Sequence, residues 1–119
     1  MDIEQLHAYC LGKHKATEDF PFDADTLVFK VLGKMFALIS LEKWESGQKA
    51  ISLKCNPEYA IELREQYDGL IVPGFHLNNK HWNTVYLNGE VSKSLVLELI
   101  DHSYDMVVKA MPKKLREQL

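Results

Sequence analysis

The sequence predicts a two-layer α+β domain in which an antiparallel sheet carries helices on one face. Three observations lead there. Three stretches place apolar residues at helical spacing, and five place them as short apolar or alternating runs. Short turns join most consecutive strand-like runs, a connection suited to antiparallel pairing. The expected order is α-β-β-β-α-β-β-α. No internal repeat and no Ser/Gly/Pro-rich linker divides the chain, so residues 1–119 form a single domain.

Composition narrows the class. A chain of 119 residues buries about two-thirds of the surface it exposes when unfolded. With 46% hydrophobic and 26% charged residues, it has the makeup of a folded globule rather than a disordered chain. No apolar run is long enough to span a bilayer, and MDIEQLH is not a secretory signal, so a cytoplasmic protein without a membrane partner is expected. Cys10 and Cys55 form no CxxC pattern and read as free, buried thiols. The net charge of −3 argues against a surface that is cationic throughout, but charge is unevenly spread. Residues 1–25 hold six acids against two lysines, whereas 106–119 hold Lys109, Lys113, Lys114 and Arg116 against Glu117.

Asp2 is placed to cap a first helix with Ile3, Leu6, Cys10 and Leu11 inward, ending at Gly12. HKATEDFPFDAD then reads as a loop, with Phe20 and Phe22 pinning it to the core around Pro21. Its acids, at 18, 19, 23 and 25, match no calcium-binding loop, so no metal or cofactor is expected. TLVFKVLGKMFALISL is a hairpin that turns at Leu32-Gly33. Leu27, Phe29 and Val31 share one face with Met35, Ala37, Ile39 and Leu41, while Phe36 and Leu38 lie on the other. Trp44–Gly47 is a connection, and KAISLKC is a half-exposed strand. Asn56-Pro57-Glu58 opens the second helix, which Asp68-Gly69 stops. Leu70–Val72 is a short strand, Pro73-Gly74 suits a type II turn, and HWNTVYL alternates Trp82, Thr84 and Tyr86 against Asn83, Val85 and Leu87. Ser92 caps the last helix, Val91 and Val96 staple it, and Pro112 ends it before the basic tail KKLREQL.

Three ordered stretches, TEDFPFDADTLVFKVLGKMFAL, PGFHLNNKHWNTVYL and SYDMVVKAMPKKLR, resemble the MmcQ/YjbR family across nearly the whole chain. The Leu32-Gly33 turn departs from the more turn-like pairs of that family. The resemblance implies a type III secretion chaperone-like fold, matching the element order above. It also implies a DNA-binding protein with a double-wing arrangement, with no catalytic residues to carry over. A shared fold does not by itself assign a function.

The residues permit three classes of activity. A nucleic-acid-binding wing would have its tip at Asn78, Asn79, Lys80, His81 and Trp82. Lys80 would meet a phosphate, an asparagine an adenine edge, and Trp82 would stack or wedge. Lys113, Lys114 and Arg116 would add backbone contacts to double-stranded DNA. The plainer account is that Asn-Asn is good turn chemistry and Trp82 is core. Catalysis has little to support it. His76 and His81 are near in sequence, but there is no GxSxG, HExxH or Gly-rich phosphate loop, so a non-enzymatic protein is expected. The expected function is nucleic-acid binding through the Asn78–Trp82 tip and the basic tail. The alternative is a protein- or peptide-binding module or a homodimer, with Phe36, Leu38, Trp44, Trp82 and Tyr86 as anchors.

Overall fold

In the computed structural model, which describes residues 1–74 and 77–119, six strands form one antiparallel sheet. They are β1 (Ala16–Asp19), β2 (Thr26–Val31), β3 (Lys34–Ser40), β4 (Ala50–Lys54), β5 (Ile71–Pro73) and β6 (Trp82–Tyr86), in the spatial order β1-β2-β3-β4-β6-β5. The helices are α1 (Ile3–Leu11), α2 (Leu41–Glu45), α3 (Pro57–Gln66), α4 (Lys93–Ala110) and α5 (Lys113–Arg116). The eight expected elements appear in the expected order within an α+β fold. Asp2 caps α1 through a capping box with Gln5, and Asn56 caps α3 by accepting from Glu58 and Tyr59 N–H.

Three short elements are additions. β1 occupies a stretch expected to be loop. Its four residues have no apolar pattern, and it is a strand through pairing with β2, from Ala16↔Val31 to Asp19↔Val28. α2 takes Leu41 out of the expected strand. Asp25 holds the start of α2, its carboxylate accepting from Glu42 N–H at 2.6 Å and from the Ser40 hydroxyl at 2.8 Å. α5 forms within the basic tail.

One face of the sheet is the main core. Phe29, Val31, Ile39, Ile51 and Val85 pack there against Leu6 and Cys10 of α1 and Val96, Leu99, Ile100 and Val107 of α4. On the opposite face a smaller cluster joins Val28, Leu38 and Trp82, with Met35 and Leu77 against it. That arrangement corrects the expected facing of β3. Phe29 pairs with Ala37 but Lys30 with Met35, so Phe36 is an extra residue, a β-bulge. The bulge turns both Phe36 and Ala37 into the main core and sends Met35 to the other face. The hairpin turn keeps its predicted place, with Leu32 at φ 48° and Gly33 at φ 79°, the left-handed pair of a type I′ turn.

Gly74 is not the left-handed glycine of a type II turn. Its N–H donates to Trp82 O at 2.8 Å, and a Cβ there would sit 2.8 Å from the Trp82 Cβ. Close approach of two strands, rather than φ, demands glycine here. Phe75, which would close the type II turn expected at Pro73-Gly74, and His76 lie outside the described residues.

α4 is bolted to the bulge. The Ser103 hydroxyl, fully buried, donates to Phe36 O at 2.6 Å and accepts from Lys54 N–H at 2.8 Å. Pairing of β3 with β4 stops at Ala37↔Leu53, so the hydroxyl bridges the two backbone groups that a continued ladder would have joined. Ser103→Ala strands both of them in the core. It should cost about 2–3 kcal/mol in urea unfolding, at the upper end for unsatisfied buried groups. A loss below about 0.5 kcal/mol would show that the bulge does not depend on this bridge.

Candidate binding surfaces

The turn before β6 was the predicted wing tip, and its side chains are largely committed to the fold. Asn78 Oδ1 accepts from Lys80 N–H at 2.9 Å, an Asx-type turn. Asn79, with its amide oriented to satisfy both of its ends, donates to Gly74 O at 2.9 Å and Leu77 O at 3.1 Å. His81 is half-buried, and its backbone N–H donates to Asn78 O while its carbonyl accepts from Cys55 N–H. Trp82 is 8% exposed and packs on Val28 and Leu38, so it offers no ring face for stacking. Lys80 is exposed and makes no side-chain bond to the described residues.

Arg64 of α3 braces this turn from behind. Its Nε donates to Asn83 Oδ1 at 2.7 Å, and the guanidinium also reaches the carbonyls of Asn79 and Trp82. Asn83, 2% exposed, completes the clamp by donating to Ala60 O at 3.4 Å. The planar fork suits several carbonyls at once.

The basic tail lies elsewhere. His14 Nε2 meets Leu119 O at 2.9 Å, Lys15 bonds Gln118 O, and the Tyr104 hydroxyl donates to His14 O at 2.7 Å. These contacts hold the chain end beside the approach to β1, whereas the turn belongs to β6. Four strand steps separate those strands, roughly 19 Å at a spacing of about 4.8 Å. Lys113, Lys114 and Arg116 are exposed and unpaired among the described residues. Of the predicted contact residues, then, four cations face water in two separate places.

A groove on the uncovered sheet face was not anticipated. It encloses about 630 Å³. Leu38, Ser52, Val72, Thr84 and Tyr86 line it from the strands, and Phe22, Asp23, Asp25, Lys43, Gln48 and Leu77 from the segments between and beside them. The Ser52 and Thr84 hydroxyls bond each other at 3.0 Å, so the floor is internally satisfied. Asp23 accepts from Thr26 N–H at 2.6 Å and Asp25 N–H at 2.9 Å, bonds that hold its carboxyl below the usual carboxylate range. Both carboxylates therefore brace the loop, and no group of three or more metal-ligating side chains occurs among the described residues.

Phe20 and Phe22 do not pin that loop to the core. They are 45% and 62% exposed, and Phe22 borders the groove. The available signal was DFPFD itself, two phenylalanines fenced by acids in a segment with no amphipathic period. Of the predicted protein-binding anchors, Phe36 and Trp44 belong to the main core, while Leu38, Trp82 and Tyr86 lie on the groove side. The two thiols are poor nucleophiles at neutral pH, because burial pushes Cys10 up to about 12 and Cys55 up to about 11.

Residues 11–106 match the family model YjbR. The uncharacterised protein YjbR of Escherichia coli K12 is 36% identical over 119 residues, covering all of this chain and 98% of its own. The uncharacterised protein YbdF of Escherichia coli O157:H7 is 38% identical, covering 96% of this chain and 93% of its own. A crystal structure of a Deinococcus radiodurans protein superposes with a TM-score of 0.89 at 40% identity, over 98% of this chain and 86% of that one. A Pseudomonas syringae protein superposes with a TM-score of 0.75 at 29% identity, over 90% and 99%.

The clamp and the glycine contact make separable predictions. Arg64→Lys keeps the charge but loses the fork, and should cost about 1–2 kcal/mol in urea unfolding while speeding amide exchange at His81 and Trp82. Gly74→Ala should cost at least about 1 kcal/mol, because backbone must shift to admit the Cβ. Unchanged exchange in the lysine variant would show that the turn holds without Arg64.

Proposed function

We propose that this chain, which belongs to the YjbR family, is a non-enzymatic binding module whose uncovered sheet face holds a segment of a partner protein. The observation that carries this is exposed Phe22 at the edge of a groove that Leu38, Val72, Leu77 and Tyr86 also line, with exposed Phe20 two residues before it. Burying a phenylalanine gains about 1.5–3 kcal/mol, and aromatic anchors around a concave apolar surface are the usual hot spots of protein interfaces. Its lining draws on β2, β3, β4, β5 and β6 and on the loop before β2, a breadth that suits a segment of another chain.

The nucleic-acid role implied by the family resemblance has thinner support. Asn78 and Asn79 spend their polar groups on the turn, and Trp82 is buried. Lys80 and the three tail cations remain for phosphates, in two places. So few contacts predict weak binding that fades as salt rises. No helix among the described residues is long and apolar enough to cross a membrane.

Selection of displayed random peptides on the wild-type protein tests the proposal. Selected peptides should lose at least about tenfold in affinity, near 1.4 kcal/mol, for the Phe20→Ser/Phe22→Ser variant. The Lys80, Lys113, Lys114 and Arg116 to Ala variant should retain them. In parallel, a labelled random duplex at about 50 and about 200 mM salt should show no binding at micromolar protein. Duplex binding that falls steeply with salt and vanishes in the four-cation variant would replace the protein-partner reading with a nucleic-acid one.

A further inference from the structure

His102 of α4 sits against the first turn of α3 in an arrangement that one proton reverses. Its Nε2 lies 3.1 Å from the backbone nitrogen of Asn56. A backbone N–H can only donate, so Nε2 presents its lone pair and the ring proton is on Nδ1. Asn56 is also the cap of α3, its side chain accepting from Glu58 N–H at 3.0 Å and Tyr59 N–H at 3.2 Å. The Tyr59 ring meets the imidazole edge-on, 5.2 Å between centroids. Toward its other end, α3 carries Arg64, which holds the 78–83 turn. One helix is thus tied to α4 by an imidazole and to the β6 turn by a guanidinium.

We propose that His102 is a proton-operated latch: protonation at Nε2 breaks its bond to Asn56, loosens the start of α3 and, through Arg64, frees the turn at 78–83. An imidazolium has no acceptor and would set two donors against each other. On α4, Asp105 favours the charged ring and Lys109 opposes it. From α3 the neighbour is Tyr59, and Lys54 and Cys55 line the small hollow beside the ring together with Asn83 of β6. Burial is the largest influence and lowers the pKa from 6.5. The sign follows: between the folded value and 6.5 the unfolded chain binds more protons. Stability from this contact is therefore complete above the unfolded pKa and is lost as pH falls through the folded one.

The test is amide exchange and nitrogen NMR on the labelled full chain at about pH 7.5 and about pH 5, corrected for intrinsic rates. On acidification, protection at Tyr59, His81 and Trp82 should fall by at least about tenfold, while β2 and β3 amides keep theirs. His102→Gln supplies an acceptor that takes up no proton, and should make all of these sites insensitive to pH. Equal pH dependence in the glutamine variant would overturn the latch, and so would loosening of α3 that leaves the turn protected. Should that variant not fold, the wild-type ring decides. Nε2 must carry the unprotonated nitrogen shift at pH 7.5, and its titration must move Asn56 and Tyr59 together; anything else overturns the proposal.

Discussion

The buried hydroxyl of Ser103 is the contact on which the arrangement of layers depends. The Phe36 bulge gives β3 an extra residue and interrupts its ladder with β4. Phe36 O and Lys54 N–H would then be orphaned in the core, and one side chain from α4 serves both. That single group ties α4 to the centre of the sheet, beside the apolar packing of Val96, Leu99, Ile100 and Val107. It also lets Phe36 enter the main core, where its ring meets Tyr104 edge-on at 5.4 Å. An interior is costly to leave polar and unpaired, so a helix at this position must carry a small hydroxyl where the bulge falls.

With the helices committed to one face, the other face is left to water or to a partner. Its apolar cluster is small, and much of its floor is hydroxyl already satisfied within the sheet. The sheet's edges are poorly suited to further pairing: β1 carries Glu18 and Asp19, and β5 is three residues long and ends in Pro73. Contact with another chain is therefore better served by the groove and its phenylalanine loop than by strand addition. The loop is itself well anchored, because Asp23 and Asp25 fold their carboxylates onto nearby backbone N–H groups and the Ser40 hydroxyl. Exposed aromatics on a braced loop lose little conformational freedom on binding.

Several features were legible in the residues themselves. Helix caps at Asp2, Asn56 and Ser92, the glycine turn at Gly33 and the alternation of β2, β4 and β6 are local chemistry, and each sits where the pattern placed it. The family resemblance was legible too, since it rests on long ordered stretches of sequence. β1 was not, because one alanine and three polar residues become a strand only when β2 offers them a ladder. Nor was the bulge, since MFALI reads as apolar on both faces and does not show which residue is surplus. For the candidate site, the predicted tip residues were found at a turn, but their availability was not legible: whether Asn79 reads a partner or its own backbone depends on where Gly74 and Leu77 lie.

By itself, the sequence determined the class of fold, the order of its principal elements, their capping and the family, because period, cap and turn chemistry act over a few residues. Tertiary structure alone decided which sheet face stays open, that Phe22 borders it in water, that Trp82 is buried, and that Lys80 lies apart from the basic tail. These outcomes depend on contacts between residues far apart in the chain, such as Ser103 with Phe36, Arg64 with Asn83 and His14 with Leu119. No local pattern encodes a distance of that kind, so burial and availability emerge only once the layers have packed.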